Sequence, residues 1–320
     1  MRVYLDNSAY SLVSERGETK SVRDALDAIG AVVVASQTNI DEFWPIRAEA
    51  QRAREIANLT GLATALLELP DTYSQAQEMI SEAHRCHPEW LSGRSNAAEL
   101  NERLEFNAYE WATLNADPTA LPADYESHRT FTETVIKSAR QTQRGYREKF
   151  NDVRRGTFSL GPVDSEFDAV VDALKDEDRY WRYGSARYWE DALGGQNQGV
   201  DDLRHFAEPA IQALPYGREF RLFWLRDVKA KGVPYHHITG LTELYQLEHP
   251  IGHGNPHDIN HSPHLADVEV FITGDKAFYA QLVAVSSHID RVATPVLVDR
   301  AAPSALSEIR AGLLRAGFSL

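Results

Sequence analysis

The chain has 320 residues, 43% of them hydrophobic, and a formal net charge of −14, which argues against a surface that binds nucleic acid everywhere but leaves room for a local basic track. Its one cysteine, Cys86, excludes an internal disulfide and fits a reducing compartment. No apolar run approaches the ~18 residues of a membrane span, and no basic start followed by an apolar stretch suggests a signal peptide, so a cytoplasmic location is expected.

In chain order, "RVYLD" alternates Val3 and Leu5 and reaches Asp6, a strand followed by a turn. "SVRDALDAIG" predicts a short amphipathic helix, with Val22, Leu26 and Ile29 on one face and Gly30 as its stop. "AVVVASQ" is a second apolar strand, and "TNIDEFWPI" opens a helix carrying Asp41 and Glu42. From about residue 45 to 250 the texture is helical, from "IRAEAQRAREIANLTGLATALLEL" to "DSEFDAVVDALKDEDRYWRYGSARYWEDAL". Strand grammar returns with "ADVEVFITGDKAF" and "ATPVLVDR", before a last helix "APSALSEIRAGLLRAG". The expected class is α/β. Neither flank holds enough sheet alone, so residues 1–43 and 251–320 are expected to form one discontinuous domain of about four parallel strands. Residues 44–250 form a mainly α-helical insertion.

Four acids then fall at comparable places. Asp6 ends the first strand, Glu42 lies early in the helix after the second, Asp258 precedes the third and Asp275 follows it. Any one of them also reads as a helix cap or a first-turn acid. Chemistry in open α/β sheets gathers at the carboxyl ends of strands, where acids distant in sequence can share a pocket. Carboxylates crowded together repel one another unless a cation neutralises them, and an all-oxygen site suits Mg²⁺ or Mn²⁺ rather than zinc.

The stretch "VYLDNSAYS", with Ser8 two residues after Asp6, resembles the opening of PIN-domain nucleases, and "SQTNIDEF", with Ser36 ahead of Glu42, resembles their second motif. "DINHSPHLADVEVFITGDKAF" is similar to the closing motif of one PIN branch, Asp-x-x-His, an apolar strand, then Thr-x-Asp-Lys-x-Phe. The resemblance covers about a third of the chain, in family order, at its two ends. It implies a three-layer PIN-like fold in which Asp6, Glu42, Asp258 and Asp275 hold Mg²⁺ or Mn²⁺. Ser8 and Thr273 would orient the metal or its carboxylates, and cleavage of RNA, less often DNA, would leave a 5′-phosphate. The pattern departs at Gly274, where many members carry an acid or Asn, and at Asp258, whose surroundings are rich in Pro and Gly instead of a clear helix. Asp267 is an alternative occupant for that acid.

His249, His253, His257, His261 and His264 are closely spaced, which on a continuous helix would suggest zinc. The interleaved Pro and Gly residues argue against such a helix. His261 is placed beside the acidic pocket instead, contacting phosphate or a carboxylate. Lys137, Arg140, Arg144 and Arg147 recur at helical spacing, giving either a solvated cationic face or a grip on a phosphate backbone. Tyr180, Trp181, Tyr183, Tyr188 and Trp189 are expected to pack as core, with base stacking as the alternative.

The expectation is therefore a Mg²⁺- or Mn²⁺-dependent nuclease, an endoribonuclease acting on RNA or single-stranded DNA. The alternative is a non-catalytic PIN-like binding or assembly module working through its helical insertion. A protein partner or antitoxin and a homo-oligomer stay open.

Overall fold

A computed structural model of the chain describes residues 1–67, 69, 71–121, 125–126, 130, 133–134, 137–138, 140–141, 143–145, 165–194, 201–213, 217–249 and 255–318. Within it, β1 (Arg2–Leu5), β2 (Val32–Ala35), β3 (Ala65–Leu66), β4 (Val270–Thr273) and β5 (Thr294–Leu297) form one sheet in the order β3-β2-β1-β4-β5. Every pairing is parallel: Tyr4 stands opposite Val34 on one side and Phe271 on the other. The fold is α/β, mostly helical, around this small sheet.

The sheet has five strands where about four were expected. β3 is two residues long and lies inside a run of Ala and Leu, both strong helix formers, so nothing in its composition marks a strand. Tertiary hydrogen bonding makes it one. Thr64 N–H donates to Val33 O at 2.8 Å and Leu67 N–H to Ala35 O at 2.7 Å, extending the ladder on both sides of the pair.

β1, β2 and β4 are buried on both faces past their first residues, as parallel strands covered by crossover helices are, while the edge strands β3 and β5 are only partly covered. On one face Val3, Leu5, Val33, Ala35, Val270 and Ile272 pack in a common core. That core is closed by α1 (Asn7–Arg16), α2 (Thr19–Ala28), α4 (Glu49–Leu62) and the helix Ala305–Arg315, through Leu12, Leu26, Leu59 and Ile309. On the other face the period-2 alternation brings Tyr4 against Phe271, ring centroids 4.9 Å apart, and Phe271 against Phe278 at 5.7 Å. Between β1 and β2, α1 stops at Gly17, whose φ of 64° lets its N–H turn back to Ser14 O and Val13 O.

The chain divides into two units. The first comprises Met1–Pro70, Arg103–Thr134 and Asn260–Leu320; the second comprises Asp71–Glu102 and Val135–Ile259. The first is larger than flanks ending at residue 43 and resuming at 251, because burial does not stop there. Ile56, Leu59 and Leu62 of α4, and Leu114 of α6 (Ala97–Ala116), belong to the same core as Val3 and Leu5. Residues 255–259 are grouped with the second unit.

The second unit's core is aromatic. Trp181, Trp189, Trp224, Phe206, Phe220 and Phe223 are fully or almost fully buried together. Trp181 and Trp189 are thus packing residues, and Tyr180, Tyr183 and Tyr188 beside them are half-buried. The helix Asp176–Leu193 approaches the helix Pro234–Glu248 closely enough that a Cβ on Gly240 would lie 2.3 Å from Trp181 Cβ. Below that crossing, Glu78 of α5 (Asp71–Cys86) accepts from Tyr235 N–H at 2.7 Å and His236 N–H at 3.2 Å. Glu78 also stands 2.7 Å from His236 Nδ1, while His236 Nε2 accepts from Trp189 Nε1–H at 2.8 Å. Among the described residues no helix is long and apolar enough to cross a membrane.

Candidate active site

Sheet order decides where a ligand would sit. From β1 the chain moves outward to β2 and β3, then returns to lay β4 on the other side of β1. Beyond the carboxyl ends of β1 and β4 is therefore the topological switch point of the sheet. Asp6 follows β1 there, and Gly274 and Asp275 follow β4.

Asp6 carries the ladder one residue further, its N–H donating to Ile272 O at 3.0 Å, and then caps α1. Its Oδ1 accepts from Ala9 N–H at 2.9 Å and from the Ser8 hydroxyl at 2.6 Å; its Oδ2 accepts from the Thr273 hydroxyl at 2.6 Å. Each hydroxyl is itself an acceptor. Ser8 Oγ takes Gly274 N–H at 2.7 Å and Thr273 Oγ1 takes Asp275 N–H at 2.9 Å. The backbone amides after β4 thus orient two hydroxyls, and the hydroxyls orient one carboxylate.

Asp6 is only 4% exposed, and burial holds its carboxyl above the ordinary aspartate range, against the pull of the Ser8 and Thr273 hydroxyls. Among the described residues no Lys or Arg pairs with it; its donors are hydroxyls and one amide.

A second network holds Glu42, at the end of α3 (Gln37–Phe43). Its Oε2 accepts from Asn7 Nδ2–H at 2.8 Å, and its Oε1 stands 2.9 Å from His261 Nε2. His261 Nδ1 lies 2.6 Å from the Tyr4 hydroxyl, which lies 2.8 Å from Ser36 Oγ. One proton assignment fits the hydroxyls: Ser36 O–H donates to Tyr4 and Tyr4 O–H to Nδ1, while Nε2 makes a close contact with Glu42 without hydrogen-bond geometry. Ser36 caps α3 in a reciprocal capping box with Asn39. Asn39 Nδ2–H also donates to Leu5 O at 3.1 Å and to Asn7 Oδ1 at 2.8 Å, tying α3 to the end of β1.

The chain matches no protein-family profile, no curated protein and no solved structure.

The structure brings Asp6, Ser8, Thr273 and the Asp275 backbone into one network, and Glu42 and His261 into an adjoining one through Asn7. The Asp275 side chain is an exposed helix cap: its Oδ1 accepts from Ala277 N–H at 2.7 Å and Phe278 N–H at 3.0 Å. Asp258 is half-buried in the first turn of the helix Asn255–His261, grouped with the second unit. Its Pro- and Gly-rich context does contain a helix, since Pro256 falls near the start, where a missing N–H costs nothing. Asp267 stands 3.1 Å from His264 Nδ1.

Lys137 and Arg144 are exposed and Arg140 half-buried, all in helical backbone; Arg147 lies outside the described residues, as does His253. Among the described residues, no three His, Cys, Asp or Glu side chains are gathered around a point that would hold a metal ion. The donor chemistry nevertheless fits a hard divalent cation: carboxylates and hydroxyls, with a buried carboxylate that no Lys or Arg among the described residues pairs. Asn7, Asn39 and Tyr4 were missed as supports. Only Asn39 left a readable trace, as the fourth residue of the capping-box pattern "SQTN".

Proposed function

We propose that the chain is a PIN-like nuclease with a helical insertion, hydrolysing phosphodiester bonds in RNA or single-stranded DNA with Mg²⁺ or Mn²⁺. The observation that carries this reading is Asp6: a buried carboxylate at the switch point of a parallel sheet, oriented by two hydroxyls and, among the described residues, paired with no Lys or Arg. Burying a charge is costly unless something compensates it, and a cation recruited with the substrate supplies that compensation only when it is needed.

Asp6, Glu42 and Asp275 would hold the metal. Bound there, the metal would supply a lowered pKa for a coordinated water and offset charge on the phosphate under attack. The chain's own residues do the positioning. Ser8 and Thr273 fix the Asp6 oxygens, while Asn7 fixes one oxygen of Glu42 and His261 stands 2.9 Å from the other. Lys137 and Arg144 offer cations for a nucleic-acid backbone. The second unit would be the insertion that selects the substrate.

A second reading, a PIN-like scaffold without catalysis, is favoured by one observation: protein donors already engage both oxygens of Asp6. Titrating Mn²⁺ while following thermal unfolding separates the two. The nuclease reading expects stabilisation developing over tens to hundreds of micromolar metal, reaching about 2.7 kcal/mol at a hundredfold excess over Kd. A midpoint indifferent to millimolar Mn²⁺ would leave only the scaffold.

A further inference from the structure

The turn after β5 places the stem of an arginine beside the Asp6 network. The ladder continues past β5 as Val298 N–H donates to Thr273 O at 3.0 Å. Asp299 then shapes the turn, its side chain accepting from Ala301 N–H at 3.1 Å and its carbonyl from Ala302 N–H at 3.0 Å. Arg16, at the end of α1, pins the turn from below, donating to Ala302 O at 2.9 Å and Arg300 O at 3.2 Å. Held this way, Arg300 lays its aliphatic stem over Gly274.

The fit at Gly274 is close. A Cβ there would meet Arg300 Cγ at 2.8 Å, Arg300 Cδ at 3.2 Å and Ser8 Oγ at 3.2 Å. The absence of a side chain at residue 274 is what lets Arg300 lie across the strand end, next to the hydroxyl that orients Asp6. Its guanidinium is held only loosely: Nη2 is 3.5 Å from Glu15 Oε1, with both side chains about half exposed (50% and 43%). An ion pair of that kind contributes little and is readily exchanged for a better partner.

We infer that Arg300 is a substrate-binding residue that takes a backbone phosphate of the nucleic acid next to the bond being cut, and that Gly274 is glycine to make room for it. This rests on the nuclease reading and extends it. A guanidinium presents a planar fork that matches phosphate oxygens, and on leaving Glu15 it loses only a weak pair. Its recorded contacts are with Gly274 and Glu15 and not with Asp6, so metal binding is not expected to depend on it.

The test is steady-state cleavage of a labelled single-stranded RNA in Mn²⁺, at several salt concentrations, by the full-length wild type, Arg300→Ala, Arg300→Lys and Glu15→Gln. Arg300→Ala is expected to raise KM by about tenfold with kcat changed less than about twofold. The salt slope of log kcat/KM should shrink by about 0.7, the loss of one single-strand phosphate contact. Its thermal midpoint and its Mn²⁺ titration should match the wild type. Arg300→Lys should recover only part of the loss, since it keeps the charge but not the fork, and Glu15→Gln should leave KM unchanged or lower it. Wild-type KM and salt slope in Arg300→Ala would overturn the assignment while leaving the nuclease reading intact. A wild type that cuts neither RNA nor single-stranded DNA would remove both, before any variant is compared.

Discussion

Asp6→Asn is expected to abolish Mn²⁺-dependent cleavage, by about 100-fold or more, while raising the thermal midpoint of the metal-free protein. The two effects have one cause. Burial lifts the Asp6 carboxyl above its ordinary value of 3.8, so the folded protein binds that proton more readily than the unfolded chain. Stability from this group is fully present below 3.8 and is lost as pH rises through the folded-state value. Above that range the carboxyl's stabilising contribution is gone, whereas a neutral amide carries no such pH dependence.

Geometry permits the swap. The asparagine oxygen can accept from Ser8 and Ala9, and its amide can donate to Thr273 Oγ1, whose hydroxyl then turns away. Asp6→Ala, by contrast, strips all three donors of their acceptor and should lower the midpoint. Thermal unfolding from about pH 4 upward should show a decline in the wild type that flattens in Asp6→Asn. A variant that cuts at the wild-type rate would take Asp6 out of the chemistry.

The second large effect lies far from the acids in sequence. Glu78→Ala is expected to destabilise the second unit by about 3–5 kcal/mol. Glu78 accepts from two backbone N–H groups in the first turn of the helix Pro234–Glu248, and faces the imidazole of His236. Trp189 Nε1–H already occupies the other nitrogen of that ring, so the ring proton on Nδ1 has no alternative direction. Truncation removes the acceptor shared by Tyr235 N–H, His236 N–H and the His236 ring, and empties the buried space the carboxylate fills. Urea unfolding of the full chain should show a lower midpoint, and Glu78→Gln, which keeps one acceptor oxygen, should fall between. A loss under about 1 kcal/mol would mean that the site repacks or admits water.

These two residues mark how far the sequence can be read. β1, β2, β4 and β5 announce themselves as short apolar runs ending in polar turns, because covered parallel strands need continuous β-branched residues. β3 does not, since two residues of Ala and Leu become a strand only by lying beside β2. Asp6 and Asp275 were legible as residues that either cap a helix or serve a site, and both do cap helices. The burial of one and the exposure of the other were not legible, because both depend on which helices cover the strand ends.

The supports of Glu42 were hidden for a related reason. Tyr4 meets Ser36 and His261 across separations of 32 and 257 residues, which only the register of the sheet creates. Glu78 and His236, 158 apart, share no pattern at all. Trp181 and Trp189 were read correctly as core, since large aromatics at helical spacing pack inward unless something holds them out.

The central claim is that acids from distant parts of the chain act together on a divalent ion. Crystals soaked in Mn²⁺ and measured at the manganese absorption edge test it most directly. The account predicts an anomalous peak about 2.0–2.3 Å from oxygens of Asp6 and at least one of Glu42 and Asp275, with Ser8 and Thr273 still donating to Asp6. A map with no peak at that strand end, or with manganese bound only elsewhere, would contradict it.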